Sequence, residues 1–335
     1  MKKIHIAALE KAQKRNLMLS LIGIGIIIVM GILSPGSFLK MANIRGMGVQ
    51  FPEFGILCFG MMLAMISGGI DLSLVGIANL SSIVAAVIML QAGDSVYSVV
   101  LGLLGALLVG VICGVFNGVL IGYLKIPAML VTLCGLQLYT GLGLAITRGP
   151  AIIGLPESYG MIANGSFLFK IPNPVIVFVI VALAIAYLLR STVYGQQLTF
   201  MGTNEVASKY SGINNLKVTI YTYMISGVLG AVGGILISSH YNSAKSDYGK
   251  SYTLLALLIV VLGGTNPNGG KGNVLGVSLA VILLQMVSSA FNILRVNSFV
   301  KTFVWGLILI GTMIVTKLLD MKKEKIRSEK CKPLQ

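Results

Sequence analysis

The chain has 335 residues, 56% of them hydrophobic and 10% charged, with a mean hydropathy of +0.92. Soluble domains carry about 25% charged residues, so this composition excludes an ordinary soluble fold and predicts an all-α, polytopic membrane helical bundle. A β-barrel is excluded because its strands alternate apolar and polar residues, and about half of the net charge of +15 lies in the two short tails, where it reads as membrane orientation rather than nucleic-acid binding.

Residues 1–16 form a basic N-terminal tail carrying Lys2, Lys3, Lys11, Lys14 and Arg15. The first charge-free window, 17–34, is too long for the apolar core of a signal peptide, and SPGSF after it offers no small-x-small cleavage site. It is expected to be a retained first span. Further charge-free windows follow at 54–70, 72–93, 95–124, 126–147, 171–189, 218–239, 251–270, 272–294 and 302–316. With about 20 residues per span, the chain is expected to be one transmembrane domain, 1–335, of about ten helices. The second span is expected to begin near Gly48 and so to include Pro52 and Glu53. The window 251–270 is apolar only to Leu262 and then reads GGTNPNGG, so its span begins before Lys250 or is broken.

The C-terminal tail, 318–335, follows Lys317 and carries Lys322, Lys323, Lys325, Arg327, Lys330 and Lys332. The positive-inside rule makes both termini cytoplasmic, which requires an even number of spans. The interior loops do not help: ten spans would leave five cations on inner loops and eight on outer ones.

The most informative stretch is Gly68-Gly69-Ile70-Asp71-Leu72-Ser73, wedged between two charge-free runs. A carboxylate at such a junction marks function by default. The glycines let the backbone break its helix and approach a neighbour closely. Glu53 is a second intramembrane acid. It either lines a path or lies near the outer interface, solvated or bonded to a neighbour.

Gly110, Gly114, Gly118 and Gly122 recur every four residues and form one helix-packing stripe. Asn117 beside it either hydrogen-bonds across the contact or lines a path. Gly227, Gly230 and Gly234 form a second stripe. Cys58, Cys113, Cys134 and Cys331 have no metal or redox spacing. His5 and His240 are the only histidines, and no catalytic, cofactor or metal constellation falls at one depth.

The largest cytoplasmic loop, 190–217, contains GTNEVASKYSGIN from Gly202 to Asn214. Asn204 is a good N-cap, Glu205 suits the positive end of a short helix, and Gly212 can close it in a left-handed conformation. A surface helix of about two turns is expected. So short a helix is marginal alone, so it either rests on its own bundle or docks into a soluble partner.

With these motifs in hand, the chain resembles a permease subunit of ATP-binding-cassette importers, in the branch serving ribose, xylose, galactose and the autoinducer-2 signal. The resemblance covers about residues 40–317. The GG-I-D-L-S signature is matched at Gly68 to Ser73. The N-G…P-x-x-(V)-T-L signature is matched at Asn117, Gly118, Pro127, Val131, Thr132 and Leu133. The coupling motif is matched at Gly202, Asn204, Ala207, Ser211, Gly212 and Ile213, with Ser208 where a second alanine is usual. The late loop is matched at Gly263, Gly264, Thr265, Gly269, Gly270 and Gly272. Thr253 replaces an acid usual in the run before that loop.

The resemblance implies a division of labour. This chain supplies the translocation path in a bacterial cytoplasmic (inner) membrane, paired with a second copy or a paralogue. A separate ATPase subunit holds ATP and magnesium, and an extracytoplasmic solute-binding protein delivers the solute. Gly202, Asn204, Glu205, Ala207, Ser211, Gly212 and Ile213 are the expected ATPase coupling residues. Glu53, Gly68, Gly69, Asp71, Ser73, Asn117 and Thr253 are the candidates for path or gate. Gly249-Lys250-Ser251 is not a phosphate loop, because the glycine needed five positions before Gly249 is Ala244. The alternative is an ion-coupled secondary transporter with Asp71 and Glu53 as ion sites, against which the coupling motif argues. The residues do not name the solute or choose between homodimer and heterodimer.

Overall fold

The computed structural model describes residues 2–34, 36–167, 171–297, 299–301, 303–308, 310, 311 and 314. In chain order, α1 is Lys2–Leu33, α2 Met41–Ile66, α3 Leu74–Ala92, α4 Val96–Gly122 and α5 Ala128–Thr147. A short mixed segment follows, with β1 Ile152–Ile153, α6 Glu157–Asn164, β2 Ser166–Phe167 and β3 Ile171–Pro172. Then come α7 Asn173–Ser191, α8 Val193–Thr203, α9 Glu205–Tyr210, α10 Asn215–Tyr241, β4 Ser243–Ala244, α11 Tyr252–Leu262 and α12 Val274–Ile293.

Eight helices among the described residues are long and apolar enough to span a membrane: α1 from Gln13, α2, α3, α4, α5, α7, α10 and α12. Two shorter apolar helices, α11 and Phe299–Ile308, stand where the eighth and tenth spans are expected. The C-terminal tail and Cys331 lie outside the described residues. We call the end of the bundle that carries the start of α1 proximal and the opposite end distal.

Helix α2 is apolar on every side, FGILCFGMMLAMI, and such a helix belongs in the middle of a bundle. Residues Ile56 to Ile66 are accordingly buried, with α3, α7, α10, α11 and α12 around it. It begins at Met41, about two turns before the expected Gly48, and includes Pro52 and Glu53 as expected. Helix α4 shows the opposite pattern. Leu104, Leu108, Ile112 and Phe116 form an exposed stripe at four-residue spacing, the face that suits lipid.

Its other face carries the predicted glycine stripe, and that face meets α10. Gly110 faces the Gly227 carbonyl, Gly114 the Tyr223 carbonyl, Gly118 the Ile220 backbone and Gly122 the Leu216 side chain. At Gly110, Gly114 and Gly118 there is no room for a β-carbon. Close approach of backbones replaces the hydrophobic effect as the packing force between membrane helices. The second stripe divides its work. Gly227 completes the α4 contact, whereas Gly230 and Gly234 face Leu74, Ile77 and Ala78 of α3.

One expectation is corrected and two are sharpened. Of the two readings of the window 251–270, the second holds: α11 begins at Tyr252 and stops at Leu262, a broken span of 11 residues. The stretch 190–217 is helical almost throughout, because Thr192 caps a new helix by accepting from the Gly195 amide and thereby starts α8. The basic N-terminal tail is helical and continuous with the first span as the first part of α1.

Candidate functional site

The break between α2 and α3 is built around Asp71. Gly68 takes φ +90, a conformation open to glycine, and the chain leaves α2 there. Asp71 is fully buried. Its Oδ1 accepts from the Ser73 amide at 3.1 Å and the Ser73 hydroxyl at 2.6 Å, and its Oδ2 accepts from the Ser226 hydroxyl at 2.6 Å. The Asn117 amide donates to Ser73 Oγ at 2.8 Å, and the Tyr139 hydroxyl donates to Asn117 Oδ1 at 2.8 Å. Thr132 on α5 donates to the Ile70 carbonyl at 2.9 Å. One buried, hydrogen-bonded chain therefore joins the α2–α3 junction to α4, α5 and α10. A buried acid is tolerable only when its oxygens are satisfied in this way.

This network brings together Asp71, Ser73 and Asn117 from the predicted set. It adds Ser226, Tyr139 and Thr132. Of these, Thr132 lay within a matched signature, whereas Ser226 and Tyr139 had no sequence signal. Asn117 performs the interhelical hydrogen bonding that was one of its two readings.

A second junction sits beside it at the proximal end. The Gly270 amide donates to the Ile66 carbonyl at 2.9 Å, tying the loop after α11 to the end of α2. Gly202, near the end of α8, lies against the same carbonyl, and a β-carbon there would overlap it. Gly269 lies against Gly202 and Gly68. Three separate glycine motifs thus meet backbone to backbone. Movement of α8 cannot be absorbed by flexible side chains here, because none intervenes.

Helix α9 extends from that junction. Asn204 caps it by accepting from the Ala207 amide at 2.9 Å, and Gly212 closes it at φ +81, both as expected. The helix also rests on the bundle. The Asn215 amide donates to the Glu205 carbonyl at 2.8 Å, and Ser208 hydrogen-bonds Asn215 Oδ1 at 2.9 Å. The serine that departs from the usual motif is therefore buried and satisfied. Glu205 pairs with Lys125, which sits in a left-handed turn between α4 and α5, at 2.8 Å. Val206 and Tyr210 point away, with Tyr210 89% exposed.

Gly69 lies in the α2–α3 break, its amide donating to the Ala64 carbonyl, and Ser211 and Ile213 donate their amides back to α9 at its end, whereas Glu53 and Thr253 lie apart from these groups. Glu53 is buried toward the distal end, bonded to His240 Nδ1 and accepting from the Tyr252 hydroxyl at 3.4 Å. Thr253 follows Tyr252 in the chain and is half-buried.

A multi-pass helical bundle with a broken late span, a sealed polar tie and a braced, outward-facing proximal helix defines a membrane permease subunit. The comparisons agree. A family described as "Branched-chain amino acid transport system / permease component" matches residues 43–315. The ribose import permease protein of Bacillus subtilis is 35% identical over 300 residues, covering 89% of this chain and 90% of that protein. The ribose import permease protein of Escherichia coli K12 is 32% identical over 303 residues, covering 89% and 91%. The autoinducer 2 import system permease protein LsrC of Yersinia pseudotuberculosis is 32% identical over 276 residues, covering 82% and 77%. No solved structure gives a significant match. The chain belongs to this family of transport permease components.

Proposed function

We propose that this chain forms the translocation path of an ATP-driven importer for a sugar or sugar-like solute of the ribose or autoinducer-2 type. The observation that carries the proposal is α9: a capped helix, braced by Asn215 and Lys125, that presents Val206 and Tyr210 outward. A transporter driven by an ion gradient has no use for such an element. The relatives' names supply the solute class.

In this reading a separate ATPase subunit docks on α9 at the cytoplasmic side and holds the ATP and magnesium. A solute-binding protein docks at the distal, extracytoplasmic side, and a second permease copy or paralogue completes the path. Both termini are cytoplasmic, and the membrane is the bacterial inner membrane. The docking movement passes from α9 through α8 to the glycine junction at Ile66. From there it reaches the α2–α3 break, where Gly68, Gly69, Asp71, Ser73 and Asn117 act as the gate framework.

Reconstitution tests this directly. The chain alone in vesicles is expected to take up no solute, with or without an ion gradient. Uptake of D-ribose or a related sugar is expected only with the ATPase, ATP and the binding protein present. Robust gradient-driven uptake by the chain alone would overturn the proposal.

A further inference from the structure

At the distal end the structure holds a polar and aromatic cluster that no sequence motif announced. Glu53 is five residues proximal to Gly48, and Gly48 touches Pro172 where α7 begins. At 1.5 Å per residue the Glu53 carboxylate stands about 7 Å inside that level. His240 Nδ1 bonds Glu53 Oε1 and Tyr252 donates to Oε2, so the imidazole is anchored from below. His240 Nε2 has no protein partner among the described residues. The imidazole stacks on Tyr241 at 4.8 Å between centroids, and Tyr241 packs on Tyr248 at 5.2 Å. Exposure falls from 53% at Tyr241, through 23% at the His240 side chain, to 1% at Glu53. The cluster has an exposed rim and a buried floor.

The backbone around it marks an aqueous mouth. Gly234 of α10 packs on Ala78 of α3; α10 ends seven residues later at Tyr241, whereas α3 runs fourteen further to Ala92. Helix α3 therefore overtops α10 by about 10 Å. Residues 242–251 descend into that space without forming a helix, held by Asn79, whose amide donates to the Ser246 and Tyr248 carbonyls at 2.9 Å each. Irregular backbone inside a membrane occurs only where protein covers it or it lines water. The same segment carries the Lys245–Asp247 ion pair at 3.1 Å, each side chain 38% exposed, which belongs in water rather than lipid.

We propose that His240, Tyr241 and Tyr248 are a solute subsite at this mouth, with Glu53 and Tyr252 as positioning residues beneath the imidazole. The inference rests on the importer reading above. The chemistry selects an uncharged polyhydroxyl solute. Glu53 pairs with His240 and Lys245 with Asp247, so His240, Tyr241 and Tyr248 themselves present no unpaired charge to an ionic ligand; Lys250, in the same segment, is exposed and has no acidic partner among the described residues. His240 Nε2 offers a hydrogen bond to a hydroxyl, the Tyr248 hydroxyl, already bonded to Ser243 Oγ at 2.7 Å, retains capacity for a second, and the aromatic rings offer flat apolar faces to C–H groups.

His5 and His240 are the chain's only histidines, which allows a direct test. In the assembled transporter carrying His5→Gln, His240 is modified with diethyl pyrocarbonate and followed by mass spectrometry. D-ribose at twice its dissociation constant is expected to slow the modification about threefold, L-leucine at the same concentration not at all. Tyr241→Leu and Tyr248→Phe are expected to remove the protection while complex recovery stays unchanged. Ribose protection no greater than that of leucine, an unmodifiable His240, or protection surviving both tyrosine variants would overturn the subsite. The importer reading is judged separately by ATP-dependent sugar uptake in the unaltered transporter. Normal uptake with no His240 protection sinks the subsite alone; failure of any neutral sugar to be taken up sinks the importer reading.

Discussion

The Ser226 hydroxyl donates to Asp71 Oδ2 across 2.6 Å, joining α10 to the α2–α3 break from 155 positions away. Asp71 is thus fastened to the helix that α9 leads into. This links the acid of the glycine-flanked motif to α9 through covalent chain and one hydrogen bond.

Asp71→Asn is therefore expected to lower transport while leaving ATPase docking largely intact. An amide has one acceptor oxygen where the carboxylate has two, so either Ser226 or the Ser73 pair loses its acceptor. A buried donor left unpaired costs about 1–3 kcal/mol. Co-purification with the ATPase and substrate-stimulated ATP hydrolysis separate the two effects. Loss of docking with normal transport chemistry would show that the acid belongs to the coupling surface.

Gly118→Leu is expected to damage assembly more than solute choice. A β-carbon at Gly118 would stand 2.7 Å from Ile220 Cα, a backbone atom that cannot swing aside. Overpacking of this kind costs about 1–3 kcal/mol or more. Thermal stability in detergent and recovery of the complex are the measurements. Wild-type values for both would mean that α4 and α10 do not pack through this stripe.

Gly212→Val is expected to uncouple the ATPase while the bundle stays folded. Gly212 sits at φ +81, a region strongly disfavoured for a β-branched residue. Tyr210→Ala provides the complementary test, because its 89% exposed side chain contributes nothing to the bundle. Both variants are expected to reduce ATPase stimulation, and Tyr210→Ala to leave the melting temperature unchanged. Full coupling in both would remove α9 from the docking surface.

Lys125→Ala is expected to shift stability by less than about 1 kcal/mol, since exposed ion pairs contribute little. Both partners of the Lys125–Glu205 pair are 62% exposed. If its larger effect is on ATPase affinity, Glu205 exchanges Lys125 for a partner across the interface. A melting-temperature change without any affinity change would make the pair a simple brace.

By itself the sequence determined the class, the order of spans and the local geometry of α9. These properties are local: hydropathy is summed over neighbouring residues, Asn204 caps an amide three positions away, and Gly212 needs only its own φ angle. The four-residue glycine period likewise announced a close helix contact, though not its partner. Tertiary structure alone decided the rest. Ser226 is one of several helix serines, and any of them can turn its hydroxyl to the carbonyl four residues back. Only packing put it against Asp71. Gly202 read as part of a loop motif, yet its missing side chain serves contact with Ile66 and Gly269, residues far away in the chain. Glu53 and His240 are 187 positions apart, and no periodicity relates them. Their meeting depends on where α10 stops relative to α2 and α3, a matter of how helices of different lengths stack, which no single segment encodes.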